Sequence, residues 1–268
     1  MAYKYQTFEA DSLDLDPESP FFLDHVARYW WAAEQVKGLR VLDCACGKGY
    51  GTYILSGAAS QVVGVDLNEE SLQMARRVFT RENLTFQSQD VFTLSKLGES
   101  FDAITAFEVI EHIPHEKTSL FLNSLKSVLK PGGKLLLSTP NHDVVLKSGV
   151  VVPEFHINNF RSVELKKALE QEFSNVTMLG QFRQRQGLSQ LLFDWDFLNL
   201  RHLVGGFRKR ANRKKSEVAG HSVASSNTYR SPDEIVNLFA QPPTEASEYH
   251  FSSRHWRQAG LSVAICQK

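Results

Sequence analysis

The sequence predicts a doubly wound α/β domain built on a mostly parallel, seven-stranded sheet. Short β-branched runs alternate with stretches in which apolar residues recur at helical spacing, and a glycine-rich turn follows the first run. Each right-handed crossover between parallel strands needs a helix, so this alternation favours a sheet with helices on both faces. Hydrophobic residues make up 42% of the 268 residues, which is enough for one core of ordinary size.

The predicted elements follow one another in a regular order. A leading helix over residues 21–36 ends before Gly38, because glycine is a helix stop signal. Strands are predicted at residues 40–44, 62–65, 84–87, 103–107, 134–138, 175–179 and 261–266. Helices are predicted between them at residues 50–58, 72–78, 120–129 and 164–173, and Lys130-Pro-Gly-Gly133 breaks the helix before the fifth strand.

This order divides the chain into four parts. Residues 1–37 form a lead-in helix and cap, residues 38–180 form the core, and residues 258–268 complete the core with a terminal strand. The stretch before that strand is too long for a connection in a compact sheet. We therefore expect residues 181–257 to be an insertion that serves as a lid or acceptor segment.

Charge and cysteine usage exclude several classes of protein. Lys plus Arg and Asp plus Glu both number 30, so no overall field attracts the chain to nucleic acid, and nucleic-acid partners are not expected. The three cysteines are an odd count and are predicted to be reduced thiols. The N-terminal segment is acidic, and no apolar stretch is long enough to span a bilayer, so the chain is predicted to be cytoplasmic.

Acidic residues and glycines at the predicted strand ends indicate a ligand site. Asp43 closes the first strand, Gly47 and Gly49 follow in the turn, and Asp66 closes the second strand. Glycines let a ligand approach the backbone closely, and an acid at the end of the second strand can bind both ribose hydroxyls. A third acid, Asp90, follows the third strand. This pattern suits either a dinucleotide or an adenosyl ligand.

The charge of Asp43 discriminates between these two ligands. A carboxylate at this turn repels a pyrophosphate and attracts a sulfonium cation. The sequence therefore favours an S-adenosyl ligand over the nicotinamide cofactor of a dehydrogenase.

From these residues onward, the chain resembles the class I S-adenosylmethionine-dependent methyltransferases. The similarity runs from about Tyr29 to Pro140, and residues 101–112 and Lys130-Pro-Gly-Gly133 match two further motifs of that family. The resemblance implies a Rossmann-like fold and S-adenosylmethionine as cofactor. It assigns cofactor binding to Tyr29, Asp43, Gly47, Gly49, Asp66, Leu67, Asp90, Val91 and Glu108. Arg28 or Tyr29 would close over the methionine carboxylate, the alternative being that their aromatic-rich helix only packs.

Histidines near the carboxyl edge of the sheet are candidates for the general base that an alcohol acceptor needs. Histidine suits this role because it titrates near neutral pH. His112, His142 and His156 all lie near that edge, and His112 and His156 are predicted to be catalytic. The alternatives are that His112 packs beneath the cofactor and that the other two are solvated or structural.

Residues 108–112 also suggest a metal site. Helical spacing brings Glu108, Glu111 and His112 to one face, and ubiquinone-pathway O-methyltransferases carry a similar metal-binding Glu-x-x-Glu-His segment. The resemblance implies a divalent cation such as Mg²⁺. In the alternative interpretation, Glu108 contacts the cofactor and Glu111 begins a helix.

The acceptor is predicted from a second resemblance. Ser138-Thr-Pro-Asn141 and the later Phe155-His156 are similar to segments of methyltransferases that are encoded with sugar-transferring enzymes. This resemblance favours a sugar hydroxyl of a glycan, glycolipid or sugar-containing metabolite. A quinone or phenolic hydroxyl is the alternative acceptor, and a binding module without catalysis is the alternative function.

Residues 191–215 combine large apolar side chains with a basic run over residues 208–215. We expect an acceptor-site lid with a solvated basic tail. The alternative is peripheral membrane contact, in which the apolar face enters the headgroups and the cations lie near anionic lipid.

Overall fold

The computed structural model describes residues 22–148, 152–183 and 231–268. Within these residues one eight-stranded sheet has the order β3-β2-β1-β4-β5-β8-β6-β7. The strands are β1 Arg40–Cys44, β2 Gln61–Asp66, β3 Leu84–Ser88, β4 Phe101–Phe107, β5 Leu129–Pro140, β6 Ser174–Arg183, β7 Tyr249–Ser252 and β8 Leu261–Gln267. The helices are α1 Phe22–Gln35, α2 Tyr50–Ser56, α3 Glu69–Val78, α4 Thr118–Val128, α5 His142–Ser148, α6 Ser162–Glu172 and α7 Pro232–Phe239.

The first five strands form the parallel half of the sheet. β1 pairs in parallel with β2 and β4, which puts Asp43 beside Gly64 and Thr105. β8 lies antiparallel between β5 and β6, so β6 runs in the same direction as β5. The carboxyl ends of β1 to β6 therefore meet at one edge, where ligands bind in doubly wound sheets.

The predicted fold class is confirmed, with two differences in detail. β7 is an eighth strand at the sheet edge and pairs antiparallel with β6. β5 begins at Leu129 because Phe101 of β4 pairs with it before the register shifts, so the Lys130-Pro-Gly-Gly133 segment belongs to the strand rather than preceding it.

Apolar side chains cover both faces of the sheet. On one face α1, α2, α3 and α7 contribute buried residues that include Phe22, Tyr53, Leu72 and Phe239. On the other face α4 and α6 contribute residues such as Phe121 and Leu165. Helices on both faces explain why the strands read as continuous apolar runs.

Part of the predicted insertion belongs to the core. Within residues 181–257, β6 ends at Arg183, α7 buries Phe239 between α1 and α2, and β7 extends the sheet. Ser231 caps α7, accepting a hydrogen bond from the backbone N–H of Glu234 at 3.3 Å. The predicted lid and the membrane-contact alternative over residues 191–215 lie outside the described residues, as do residues 1–21 of the predicted cap.

The cysteines and the helices bear on two of the predictions from the sequence. Cys44, Cys46 and Cys266 are buried and unbridged, which agrees with the expectation of reduced thiols. Among the described helices, none has the length and apolar character to cross a bilayer.

Candidate active site

The loop after β1 and the first turn of α2 adopt a conformation and packing that need glycine. Gly49 precedes α2 with φ +82°, and a Cβ atom there would lie 2.7 Å from Ala75 and Phe86. A Cβ atom on Gly51 would lie 2.1 Å from the ring of Tyr29. Real Cβ atoms do not approach other heavy atoms this closely, so these glycines allow the loop to pack against α1 and α3.

Asp43 is fully buried behind this loop. Its carboxylate accepts hydrogen bonds from the hydroxyls of Thr105 at 2.6 Å, Thr52 at 2.7 Å and Tyr29 at 3.2 Å. Burial raises the pKa of Asp43 to about 6, and these hydrogen bonds oppose that rise. The carboxylate therefore joins α1, α2 and β4, and its charge lies close beneath the glycine turn.

Asp66 connects the loop after β1 to the loop after β2. One carboxylate oxygen accepts a hydrogen bond from the N–H of Gly47 and the other from the N–H of Asn68, each at 2.8 Å. The Asn68 side chain accepts from the N–H of Ser71 at 3.0 Å and thereby caps α3. A carboxylate oxygen has two lone pairs, so Asp66 can still accept a hydrogen bond at each oxygen.

Leu67 directly follows this acid, and Asp90 and Val91 follow the neighbouring strand β3. The Leu67 side chain is 49% exposed, whereas Val91 is buried. Asp90 accepts a hydrogen bond from the N–H of Phe92 at 2.8 Å, which fixes the turn after β3. An exposed leucine next to a carboxylate offers an apolar face on which a planar ring can pack.

Buried Arg28 and partly exposed Glu108 form an ion pair that the sequence did not predict. The Arg28 side chain is 2% exposed, and its Nη1 lies 3.0 Å from Oε1 of Glu108. Arg28 also donates to Ser138 Oγ at 3.1 Å and to Gln181 Oε1 at 3.0 Å. The interaction joins α1 to β4, β5 and β6, and no local sequence pattern could reveal partners so far apart in the chain.

Glu111, His112 and His156 come together after β4. Their potential ligand atoms all lie within 4.8 Å of one another. Glu111 is buried, and its Oε2 accepts a hydrogen bond from Thr139 at 2.9 Å. Its Oε1 has no hydrogen-bond partner among the described residues. Burial and the charge of Glu108 raise the pKa of Glu111 to about 8, although His112 opposes this shift.

Contacts with Phe155 orient the ring of His112. His112 Nδ1 lies 3.2 Å from the carbonyl oxygen of Phe155. The His112 ring centroid lies 5.0 Å from that of His156 and 5.8 Å from that of Phe155. A carbonyl oxygen can only accept, so this contact requires a proton on Nδ1 and leaves Nε2 of the neutral ring as an acceptor.

The structure does not group Glu108 with the other two predicted metal ligands. The structure pairs Glu108 with Arg28 and Ser138 instead of placing it in the cluster, because Glu108 has φ +55° and its side chain points toward α1 and β5. His156 replaces it beside Glu111 and His112. His142, the third candidate base, begins α5 and is outside this cluster.

The arrangement has two chemical capacities at one sheet edge. Acidic and apolar groups after β1, β2 and β3 suit a cationic nucleoside with a ribose and a planar base. Imidazoles and a buried carboxyl group after β4 can accept a proton from an adjacent hydroxyl or bind a cation.

Comparisons with known proteins agree with this reading of the fold. Residues 35–194 match a family model described as a methyltransferase domain. A probable S-adenosylmethionine-dependent methyltransferase of Mycolicibacterium smegmatis is 31% identical over 180 residues, which are 66% of this chain and 68% of that protein.

Two further matches cover different shares of the chain. A ubiquinone biosynthesis O-methyltransferase of Coxiella burnetii is 33% identical over 128 residues, 46% of this chain, and the match spans only 54% of that relative's length. A solved S-adenosylmethionine-dependent methyltransferase from Archaeoglobus fulgidus superimposes over 92% of both chains with a TM-score of 0.53 and 17% identity, a likeness of fold alone. The family model and the relative from Mycolicibacterium smegmatis show that the chain belongs to the class I S-adenosylmethionine-dependent methyltransferases.

Proposed function

We propose that this chain transfers the methyl group of S-adenosylmethionine to a hydroxyl oxygen of a small or glycan acceptor. The observation that carries the proposal is the Glu111, His112 and His156 cluster, which lies after β4 at the edge where the three strand-end acids also lie. A proton acceptor beside a methyl-donor site is what O-methylation requires.

The donor side is formed by the loops after β1, β2 and β3. Asp66 retains a lone pair on each oxygen for the two ribose hydroxyls, and Leu67 and Val91 supply apolar surface for the base. The charge of Asp43, just behind the glycine turn, favours a sulfonium cation. Tyr29 is anchored on that carboxylate, so it positions the loop from α1.

Arg28 and Glu108 suit the methionine end of the donor. A methionine tail carries an ammonium and a carboxylate, and this ion pair presents one charge of each sign at the end of β4. The proposal assigns the ammonium to Glu108 and the carboxylate to Arg28.

Proton removal is the task of the acceptor side. S-adenosylmethionine supplies a methyl carbon on a positively charged sulfur, which becomes a neutral thioether when the acceptor oxygen displaces it. As the carbon–oxygen bond forms, the hydroxyl proton passes to Nε2 of His112 or to the ring of His156. A potential ligand atom of Glu111 lies within 4.8 Å of one on each histidine. Because the pKa of Glu111 is raised to about 8, its carboxylate stabilises the resulting imidazolium as the pH rises through that value. Positioning supplies most of the rate in such an in-line displacement.

A sugar hydroxyl is the proposed acceptor, and a quinone or phenolic hydroxyl is the second candidate. The sugar acceptor is favoured by the Ser138-Thr-Pro-Asn141 and Phe155-His156 segments. Thr139 of the first segment donates a hydrogen bond to Glu111, and His156 of the second lies near Glu111. The second is favoured by the similarity of 128 residues to a ubiquinone biosynthesis O-methyltransferase.

A divalent cation is a further candidate for the same cluster. Glu111 Oε1, which has no hydrogen-bond partner in the part of the chain that the structure describes, and two imidazoles fit a metal that accepts nitrogen ligands, such as Zn²⁺, Mn²⁺ or Fe²⁺. They do not fit Mg²⁺, which prefers oxygen ligands. When bound, such a cation would lower the pKa of the acceptor hydroxyl.

A labelled-methyl assay tests these assignments. Sugar and phenolic acceptors are incubated with methyl-labelled S-adenosylmethionine, with and without chelator, using the wild-type chain and His156→Ala. We expect transfer to a hydroxyl that His156→Ala slows and that His142→Ala leaves unchanged. Tight donor binding with no transfer to any acceptor class would instead identify a binding module. Loss of transfer on chelation would assign the cluster to a metal.

A further inference from the structure

We propose that Asn158 is a positioning residue that fixes the protonation geometry of His112 by anchoring residues 152–161, here called the acceptor loop. This inference deepens the proposed function, since it names what organises the acceptor side. The loop follows α5 and ends at α6, and it carries both Phe155 and His156.

Asn158 is the buried anchor of the acceptor loop. It is 4% exposed, whereas its neighbours Ile157 and Asn159 are exposed. Its backbone N–H donates to the carbonyl of Glu111 at 3.0 Å. Its side-chain amide donates to Thr118 Oγ1 at 3.1 Å, and its amide oxygen lies 3.3 Å from His115 Nδ1.

These contacts connect one loop residue to three points of the segment between β4 and α4. Glu111 lies in a short helical turn after β4, His115 lies in the next turn, and Thr118 begins α4. Removing a buried amide leaves its partners without hydrogen bonds, which is costly, so the loop would shift to solvate them.

His112 depends on the loop for its orientation. The carbonyl of Phe155, three residues before Asn158, accepts from His112 Nδ1, and the rings of Phe155 and His156 pack against the imidazole. With the loop in place, Nδ1 carries the hydrogen, so the lone pair of the neutral ring is on Nε2. A displaced loop removes that carbonyl, and the ring can then adopt the other tautomer.

The donor side does not share these contacts. Asp43 and Asp66 are bonded to hydroxyls and backbone groups of the first two loops, α1 and β4. A change at Asn158 should therefore alter His112 and leave donor binding intact.

The test uses the full chain with ¹⁵N-labelled histidine, whose NMR spectrum distinguishes the two tautomers. In Asn158→Leu, which keeps side-chain size without polar atoms, we expect His112 to change from the Nδ1–H form to a mixture. Turnover should fall by about 10- to 100-fold, because small misplacements near reacting groups have effects of that size. Affinity for S-adenosylhomocysteine, measured by calorimetry, should stay within about twofold of wild type.

Asn158→Asp is the conservative partner of this variant. An aspartate can accept from both His115 Nδ1 and the Thr118 hydroxyl, so it should retain the wild-type tautomer and most of the rate. Asn159→Ala is the matched control, because Asn159 is the exposed neighbour that bonds the His156 carbonyl at 2.8 Å. It should leave the His112 tautomer unchanged.

Each outcome decides the inference. A folded Asn158→Leu chain with wild-type His112 signals would overturn it. If that variant does not fold, Thr118→Val removes one of the two side-chain partners and should shift the tautomer in the same direction, and an unchanged spectrum would again contradict the assignment. A tautomer shift in a chain that methylates no acceptor would keep the positioning role and refute the proposed function.

Discussion

The carboxylates of the donor side and of the acceptor side differ in their hydrogen bonding. The donor side is formed by the loops after β1, β2 and β3, and the acceptor side by Glu111, His112 and His156. On the donor side, Asp43 accepts three hydroxyl hydrogen bonds and Asp66 accepts two from backbone N–H groups, largely within residues 43–68. On the acceptor side, Glu111 has one bonded oxygen and one without a partner among the described residues. Its neighbours His112 and His156 come from separate segments of the chain.

We infer that the donor side is a preorganised binding surface and that the acceptor side is a reactive one. On the donor side, every carboxylate oxygen of Asp43 and Asp66 accepts a hydrogen bond, and these bonds fix the loops around the ligand site. A buried carboxyl with a spare oxygen costs stability unless a proton, a cation or a substrate group meets it, and such groups cluster at functional sites. The two sides should therefore respond differently to substitution.

The largest expected effect is on turnover through the acceptor side. His156→Ala should lower kcat by about 100- to 10,000-fold, the range for loss of a general base, while affinity for S-adenosylmethionine stays nearly constant. His142→Ala is the control, because His142 lies outside the cluster. Unchanged turnover in His156→Ala would remove that residue from the catalytic set.

We expect a second effect, on stability and donor binding, when a Cβ atom is added to the loop after β1. Gly49→Ala places a Cβ atom 2.7 Å from Ala75 and Phe86, so we expect a loss of about 1 to 3 kcal/mol in stability from overpacking, together with weaker donor binding. Gly98→Ala is the matched control, because Gly98 also has positive φ but nothing lies within 4 Å of its Cβ position. Denaturant unfolding of both variants separates packing from backbone strain, and equal losses would contradict the packing argument.

Asp66→Ala should weaken donor binding by about 1 to 3 kcal/mol, because two ribose hydroxyls lose their acceptor. Asp66→Asn keeps one acceptor oxygen and should lose less. Calorimetric titration with S-adenosylhomocysteine measures both, and wild-type affinity in Asp66→Ala would refute the ribose role.

The last expected effect is a pH dependence of stability. The pKa of Glu111 is about 8 in the folded chain against an ordinary 4.5, so its contribution to stability is complete below pH 4.5 and is lost as pH rises through 8. Glu111→Gln does not titrate, so its stability relative to wild type should increase from pH 5 to pH 8.5 by about 1 kcal/mol or more. Urea unfolding at several pH values checks this trend, with exposed Glu70→Gln as the control.

The sequence predicted the donor side better than the acceptor side for a physical reason. β1 and β2 are short buried runs, and Asp43 and Asp66 lie at or next to their ends. The edge strand β3 ends at Ser88, two residues before Asp90, so local patterns locate both strands and acids. The four-residue edge strand β7 mixes polar and aromatic residues, and nothing local distinguishes it from a loop. The Arg28–Glu108 pair and the His156–Glu111 approach depend on tertiary packing between distant segments, which periodicity does not report.

One competition experiment tests whether the loop after β1 selects an S-adenosyl ligand over a dinucleotide. S-adenosylhomocysteine and reduced nicotinamide adenine dinucleotide are titrated into the chain by calorimetry, separately and then in sequence. We expect saturable binding of the sulfur nucleoside that the dinucleotide neither matches nor displaces, because Asp43 places a negative charge beneath the glycine turn. Tighter binding of the dinucleotide, or its displacement of the sulfur nucleoside from that turn, would contradict it.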